Sequence, residues 1–322
     1  MRKEKVSKKK IRKIIYLEVA LVFLIFSFSF PIFIGNVFAE VGENVSVTSN
    51  LSIGKSNPNI VSIDIESGSV TLTPNASTIV NCSIIIEDYD GDVDLLHVNA
   101  TFFDTEVAIA SDPDNNNTHY TNTSCVIQTG YGDQYQAKAD CLFSVLYYAN
   151  PSDWNCSVYV EDLSNYTDED TNDTTIEELL AFGVPGRIDY GTINATYVSI
   201  EKEANVTNVG NVKANLSLSG YGLASNDGYA MVCQYGAIQN ITVEYQKYNV
   251  SGSVPGSLSL GQLEGNYTNL TASPFVEEFN LEYRQGASDI TNSTYWRIYV
   301  PEGVAGTCNG TVIFGAVKSV VG

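Results

Sequence analysis

The chain has 322 residues, a formal net charge of −20 and an uneven distribution of charge. Eight of its 17 basic residues lie in residues 1–13, and only Glu4 and Glu18 are acidic before residue 40. Nine basic and 35 acidic residues therefore remain beyond residue 39, a net charge of −26. Such a surface repels nucleic acid and anionic lipid and attracts cations, so we expect no nucleic-acid partner.

Residues 1–39 have the order of an export signal. Residues 2–13 are rich in basic residues, residues 14–34 are almost wholly apolar, and the smaller residues Val37 and Ala39 follow. The apolar run is long enough to cross a bilayer, but Glu18 interrupts it and Pro31 breaks a helix near its outer end. A cationic, then apolar, then small-residue order predicts a signal peptide over residues 1–39.

Two other interpretations of this segment stay open. A retained N-terminal anchor would make residues 14–34 the only membrane contact of the chain. A type IV pilin-like signal cut after Lys13 would place Glu18 at the fifth position, although such signals usually have a small residue before the cut. Because basic residues stay in the cytoplasm, a cleaved signal and a retained anchor both place the residues after 39 at the cell exterior.

Beyond residue 39, apolar and polar residues alternate in short β-branched and aromatic runs separated by Gly, Asn, Asp and Pro. Clear examples are residues 63–66, 70–73, 80–86, 142–148 and 154–160. A period of two predicts an all-β chain of tandem Ig-like antiparallel β-sandwich domains. The Gly-Val-Pro-Gly stretch at 183–186 predicts a hinge between a first domain, 40–186, and a second, 187–322.

One short helix is predicted at the end of the first domain. Thr174, Thr175, Ile176 and Glu177 have the pattern of a capping box, and Gly183 would end the helix. We therefore expect a helix over residues 176–182.

The turn at residues 205–212 and the strand and turns at residues 296–310 resemble Ig-like modules of exported archaeal and bacterial surface proteins. These modules, of the CARDB and NEW3 type, are β-sandwiches that often occur in tandem. The resemblance covers parts of the second domain and implies a fold rather than a function. The acidity and the 19 Asn-x-Ser/Thr triplets of the chain, which are potential glycan acceptors, are also similar to those of archaeal cell-surface or S-layer-associated proteins.

Six cysteines in an exported chain are expected to pair. With four cysteines before the hinge and two after it, three connectivities remain. Cys125 and Cys141 are equidistant from Asp133, so a hairpin turning there brings them face to face. This leaves Cys82 to pair with Cys156 between strands or sheets. The predicted pairs are Cys82–Cys156, Cys125–Cys141 and Cys233–Cys308.

The sequence contains 19 Asn-x-Ser/Thr triplets, which are potential glycan acceptors on a secreted chain. Many arise by chance in a chain so rich in Asn, Ser and Thr. Asn81, Asn155 and Asn309 each lie beside a cysteine, and adjacent side chains of a strand face opposite ways. If the cysteines face the core, these three asparagines face solvent, and we rank them first as glycosylation sites.

Two acidic loops offer oxygen ligands. Asp88, Asp90, Asp92 and Asp94 lie within seven residues, and residues 112–117 form a second oxygen-rich stretch. Calcium takes six to eight oxygen ligands on flexible loops, so the first loop is a candidate calcium site. Neither loop has EF-hand spacing, and a polar turn between strands is the plainer interpretation of both.

The sequence favours no catalytic function. His97 and His119 are the only histidines, and we interpret both as surface or turn residues. Tyrosines at 147, 148, 283, 295 and 299 would suit sugar stacking, but aromatic residues also fill sandwich cores. No nucleophile motif, phosphate loop or basic patch is present beyond residue 39, so we predict that the chain is not an enzyme.

The resulting hypothesis is an exported, glycosylated, disulfide-linked structural protein of the cell surface, either an envelope or S-layer-associated protein or an appendage subunit. Its partners would be other envelope proteins or further copies of itself. The alternative is a secreted adhesion module that binds carbohydrate or another cell. No cofactor is expected, apart from calcium at Asp88, Asp90, Asp92 and Asp94.

Overall fold

A computed structural model describes residues 46–65 and 68–320 of the chain. The three interpretations of the export segment concern residues 1–39, which lie outside the described residues. Within the described part, no helix is both long and apolar enough to span a membrane. Residues 46–58 carry no regular secondary structure and precede the first strand.

The first β-sandwich pairs a four-stranded sheet, in the order β1-β3-β7-β6, with a five-stranded sheet, in the order β2-β9-β8-β4-β5. Neighbouring strands are antiparallel except β2 and β9, which are parallel. Its strands are β1 (Asn59–Ile65), β2 (Ser69–Val70), β3 (Ser77–Glu87), β4 (Leu95–Asp104), β5 (His119–Asn122), β6 (Val126–Gln128), β7 (Gln136–Leu146), β8 (Asp153–Asp162) and β9 (Thr167–Ile176). A 3-10 helix, Asp92–Asp94, lies between β3 and β4.

Strict alternation builds the core between these two sheets. Every second residue of β3 from Val80, and of β8 from Trp154, is buried, while the residues between them are partly exposed. Trp154 is fully buried in this core, with its ring centroid 4.8 Å from that of Phe102. Its indole N–H donates to the carbonyl of Asn150 at 2.9 Å, which satisfies the one polar group of the side chain.

The second β-sandwich is formed by three sheets of antiparallel strands, in the orders β10-β11-β18-β15-β16, β17-β12-β20 and β14-β13-β19. Its elements are β10 (Phe182–Gly183), β11 (Lys202–Asn208), β12 (Ala214–Tyr221), β13 (Tyr229–Gly236), β14 (Asn240–Thr242), a 3-10 helix (Val243–Tyr245), β15 (Gln246–Asn249), α1 (Leu260–Asn266), β16 (Thr268–Asn269), β17 (Phe275–Leu281), β18 (Ile290–Ile298), β19 (Val304–Asn309) and β20 (Thr311–Lys318). The all-β prediction is confirmed, with Trp296 fully buried in the second core.

The helix predicted over residues 176–182 is wrong. Thr174 and Ile176 are the buried end of β9, where Thr174 pairs with Trp154 of β8, and Phe182 begins β10. A capping box stabilises only the first turn of a helix, and the pairing of β9 with β8 outweighs that local preference. The helix of the described chain is α1, where Ser259 forms a capping box with Gln262.

Two buried asparagines form the joint between the sandwiches. The Asn208 side chain donates to the carbonyls of Val212 and Leu281, at 2.8 and 3.2 Å, and accepts from the N–H of Gly210. This fixes the turn that follows β11. Asn211 then lies fully buried at the tip of the turn, facing the end of the first sandwich.

The Asn211 side chain connects that turn to the first sandwich through three hydrogen bonds. Its Nδ2 donates to the carbonyls of Ala149 and Glu177, both at 3.0 Å, and its Oδ1 accepts from the N–H of Leu179 at 2.6 Å. A Cβ on Gly210 would lie 2.0 Å from the carbonyl oxygen of Leu179, so only glycine allows this approach.

Aromatic contacts surround the turn. Tyr147 and Tyr148 pack with Val209 in a small buried cluster separate from the two main cores. The Tyr147 hydroxyl donates to Asp289 at 2.6 Å, and the Arg284 guanidinium lies 4.4 Å from the centre of the Tyr148 ring. The sandwiches therefore meet through buried polar and aromatic contacts, whereas the domain boundary at residue 186 stays a prediction.

We predict that Asn211→Ala lowers the free energy of unfolding by about 2–4 kcal/mol, because it leaves one buried carbonyl, of Ala149, and the partly buried carbonyl of Glu177 and N–H of Leu179 without their partner. Urea denaturation followed by tryptophan fluorescence measures the change. Asn57→Ala is the control, because the Asn57 side chain is exposed. Equal stability of the two variants would contradict this assignment of the joint.

Candidate functional site

Three carboxylates meet at one end of the first sandwich. One carboxylate oxygen from each of Asp88, Asp94 and Asp162 lies within 4.8 Å of the other two. Asp88 follows β3, Asp94 precedes β4, and Asp162 ends β8 opposite Leu95 of β4. The cluster therefore joins loops that belong to the two facing sheets.

Alternation within the strands places two of these carboxylates. Asp88 continues the inward-facing column of β3 that includes Cys82, and Asp162 continues the inward-facing column of β8 that includes Cys156. Each aspartate lies six residues beyond its cysteine. Cys82 and Cys156 are joined across the sheets, and β3 and β8 run towards the same end of the sandwich, so equal spacing along both strands brings the two aspartates together.

Backbone donors orient both buried carboxylates. The Oδ1 atom of Asp88 accepts from the N–H of Asp90 at 2.9 Å, and the Oδ1 atom of Asp162 accepts from the N–H groups of Ser164 and Tyr166, both at 2.8 Å. Both aspartates are fully buried. Their Oδ2 atoms have no hydrogen-bond partner among the described residues.

The local electrostatics disfavour three negative charges without a counterion. Burial raises the pKa of Asp88, and the negative charges of Asp90, Asp94 and Asp162 act in the same direction. Lys55 lies at the rim, with its Nζ 2.8 Å from Oδ2 of Asp94, and its side chain is 48% exposed. The cluster therefore has more negative charge than this one lysine balances.

Only two of the four aspartates of the predicted calcium loop lie in the cluster. Asp90 instead accepts from the N–H of Ser56 at 2.7 Å, and Asp92 accepts from the N–H of Gly130. Sequence reasoning missed Asp162, which is 68 residues beyond Asp94. Its one sequence signal is its position in the apolar alternation of β8.

The second oxygen-rich loop uses its side chains within the protein. Asp114 contacts His119 Nδ1 at 2.9 Å and accepts from the Thr121 hydroxyl at 2.7 Å, while Asn115 accepts from two backbone N–H groups of the loop. Burial raises the pKa of Asp114, but the bonds from His119 and Thr121 outweigh it and hold the pKa below its usual value. His119 is fully buried, so its interpretation as a surface or turn residue is wrong.

The tyrosines that the sequence analysis named for sugar stacking are not the most exposed tyrosines of the structure. Tyr147 and Tyr148 are buried in the joint. At the carboxylate end, Tyr89 is 66% exposed, and its ring centroid lies 6.1 Å from that of Tyr135. Tyr166, in the β8–β9 turn, is also exposed. The loops at this end therefore combine exposed aromatic rings with carboxylates.

The structure joins the six cysteines in the same three pairs that the sequence predicts: Cys82–Cys156, Cys125–Cys141 and Cys233–Cys308. The β6–β7 hairpin pairs Val126 with Asp140, which fixes Cys125 opposite Cys141. The β13–β19 ladder likewise pairs Cys233 with Cys308. Three disulfides are typical of extracellular proteins.

The three favoured glycosylation sites differ in their surroundings. Asn81 and Asn155 lie on the outer face, opposite their buried neighbours Cys82 and Cys156, and their Nδ2 atoms donate to aspartates on adjacent strands at 2.9 and 2.7 Å. Asn309 is exposed. An attached glycan replaces one of the two Nδ2 hydrogens, so glycosylation at all three sites stays a prediction.

No family model and no curated protein matches the chain. Among solved structures, it is similar to a carbohydrate-binding module of the β-sandwich superfamily, with 9% identity over 83% of this chain and 100% of that chain and a TM-score of 0.24. It is also similar to a chain from the chaperone–tip adhesin complex of archaic pili of Acinetobacter baumannii, with 10% identity, 79% and 99% coverage and a TM-score of 0.35.

A third similarity is to a chain from the chaperone–tip adhesin complex of CFA/I fimbriae, with 13% identity, 82% coverage of each chain and a TM-score of 0.27. At these scores the matches carry no argument about function. The β-sandwich fold rests on the strands and sheets described above. The CARDB and NEW3 modules are not specifically shown.

We predict that the disulfides contribute in order of loop length. Replacing Cys82 and Cys156, which are 74 residues apart, with alanine should cost about 4 kcal/mol, against about 3 kcal/mol for Cys125 and Cys141, which are 16 residues apart. Guanidinium denaturation of the two double variants measures both costs. A larger loss from the shorter loop would contradict the chain-entropy account.

Proposed function

We propose that this chain is a non-enzymatic structural protein of the cell surface: an exported, glycosylated, disulfide-linked subunit of an envelope layer or an appendage. The observation that carries this proposal is the buried joint between the two sandwiches. Asn211 and the glycine before it fix the second sandwich against the first. The chain would act by assembling with itself or with other envelope proteins.

A fixed joint suits a subunit of an extended assembly. Interfaces between domains of one chain often allow relative motion, unless the contact is extensive and well packed. Here the joint combines a fully buried asparagine, a three-residue apolar cluster and a cation–π contact. A repeating layer or filament requires that each subunit present its outer surfaces at constant angles, and this joint supplies that constraint.

The second sandwich has an edge that suits assembly. Strand β17 lies at the edge of its sheet, and Phe275 and Val276 on it are about half exposed. Edge strands offer unpaired backbone groups, and exposed apolar residues on them favour pairing with another chain. A further copy of this chain is the partner that the proposal requires.

The test is self-assembly of the purified full chain with its disulfides intact. We expect higher-order particles without added ligand in sedimentation and electron microscopy, and a loss of at least half of them in Val276→Lys. Leu223→Lys is the matched control, because Leu223 is 81% exposed but lies in a loop. A chain that stays monomeric at all concentrations would contradict the structural role.

A second candidate function is carbohydrate binding at the carboxylate end of the first sandwich. The observation that favours it is the exposed ring pair of Tyr89 and Tyr135. Exposed tyrosines stack on sugar faces, and carboxylates accept hydrogen bonds from sugar hydroxyls. A secreted adhesion module would present such a surface at a loop end.

A glycan array distinguishes the two functions. If the chain is an adhesion module, saturable binding to at least one glycan should fall at least tenfold in Tyr89→Ala/Tyr135→Ala. Tyr197→Ala is the control, since Tyr197 is 64% exposed and outside these loops. Absence of saturable binding across the array would contradict this second function and leave self-assembly as the proposed role.

A further inference from the structure

The carboxylate cluster carries more negative charge than the neighbouring side chains balance. Asp88 and Asp162 are fully buried, and the Oδ2 atom of each has no hydrogen-bond partner among the described residues. These two side chains and Asp94 bring one oxygen each to within 4.8 Å of one another. Buried carboxylates are costly unless they are paired with a cation or coordinate a metal.

Lys55 does not supply this pairing. Its Nζ bonds Asp94, the most exposed member of the cluster, while the two buried Oδ2 atoms stay without a donor among the described residues. The lysine side chain is also half exposed, so water screens its charge. One screened ammonium at the rim leaves two buried carboxylates without compensation.

We propose that Asp88, Asp94 and Asp162 bind one calcium ion. Three carboxylates provide three to six of the six to eight oxygens that calcium takes, and water completes the shell at the partly open Asp94 side. Zinc sites in proteins usually contain histidine or cysteine ligands, and this cluster has neither. Magnesium usually binds through one or two carboxylates and keeps several waters, so three carboxylates favour calcium.

The ion would connect the two sheets of the first sandwich. Asp88 directly follows β3 of one sheet, whereas Asp94 directly precedes β4 and Asp162 ends β8 of the other sheet. The loop between β3 and β4 also binds residues 55 and 56. The Lys55 ammonium donates to Asp94, and the N–H of Ser56 donates to Asp90. Calcium would therefore order the end of the sandwich at which the chain enters its first strand.

The first test is thermal unfolding of the full chain with 10 mM calcium, 10 mM magnesium or EDTA. A dissociation constant of about 0.1–1 mM, usual for extracellular modules, predicts that calcium raises Tm by about 3–10 °C over EDTA. Magnesium should give less than half of that shift, because it usually binds through one or two carboxylates rather than three. Charge screening alone would give equal shifts with the two ions. Equal shifts with both ions would overturn the proposal.

The second test changes the charge of the site in opposite directions. By calorimetry, Asp94→Asn should weaken calcium binding at least tenfold, while Lys55→Gln should tighten it about threefold by removing a competing cation. Asp162→Asn should abolish the calcium-dependent shift in Tm and leave a folded protein in EDTA, because it removes one of the repelling charges.

Glu169→Gln is the matched control. Glu169 is an exposed carboxylate on β9, outside the cluster, so its removal changes the net charge equally and should leave calcium binding unchanged. Two results would overturn the proposal: no calcium-dependent heat or shift in Tm in the unaltered chain, or the same calcium response in Asp94→Asn and Asp162→Asn as in the control. The test is independent of assembly and of glycan binding.

Discussion

The disulfide between Cys82 and Cys156 is the constraint on which the first sandwich depends. It joins the inward-facing columns of β3 and β8, which belong to opposite sheets, and so fixes how far one sheet is shifted along the other. Side chains alternate along both strands, so this one bond determines which residues meet at each level of the core. Trp154 packs two residues before the bridge, and the carboxylates of Asp88 and Asp162 meet six residues beyond it.

The second sandwich depends on a buried polar side chain in addition to its disulfide, Cys233–Cys308. Arg297 is fully buried on β18, and its guanidinium donates to the carbonyls of Ser199, Val254 and Gly256 at 2.7–2.9 Å. Glu201 accepts from the N–H of Val254, so the same loop is held from two sides. A buried arginine with satisfied donors specifies one arrangement of the irregular stretch between β15 and α1, which has few apolar residues to order it.

The sequence predicted correctly those features that a short, continuous stretch of chain determines. Alternation gave the all-β class, and symmetry about Asp133 gave the register of the β6–β7 hairpin, because both are local properties of the chain. The helix over residues 176–182 failed because the competing partner of Thr174 lies on β8, which a local pattern does not contain. Asp162 was missed for the same reason, because it lies near Asp88 only when the two sheets pack against each other. Nothing in the sequence indicated the role of Asn211 in the joint, because an asparagine in an exposed turn has the same neighbours along the chain.

The disulfide and the proposed ion act on the same two strands and require the same environment. Oxidation of Cys82 and Cys156 brings β3 and β8 into register, and that register forces Asp88 towards Asp162. Repulsion between the two carboxylates opposes this step, and the net charge of −26 beyond residue 39 adds to the repulsion. A divalent cation bound between the two carboxylates would cancel the repulsion between them. Calcium and oxidising conditions are both available outside the cell, whereas the cytoplasm keeps thiols reduced. The first sandwich would then reach its full stability only where both are present, which would couple its stability to an extracellular location.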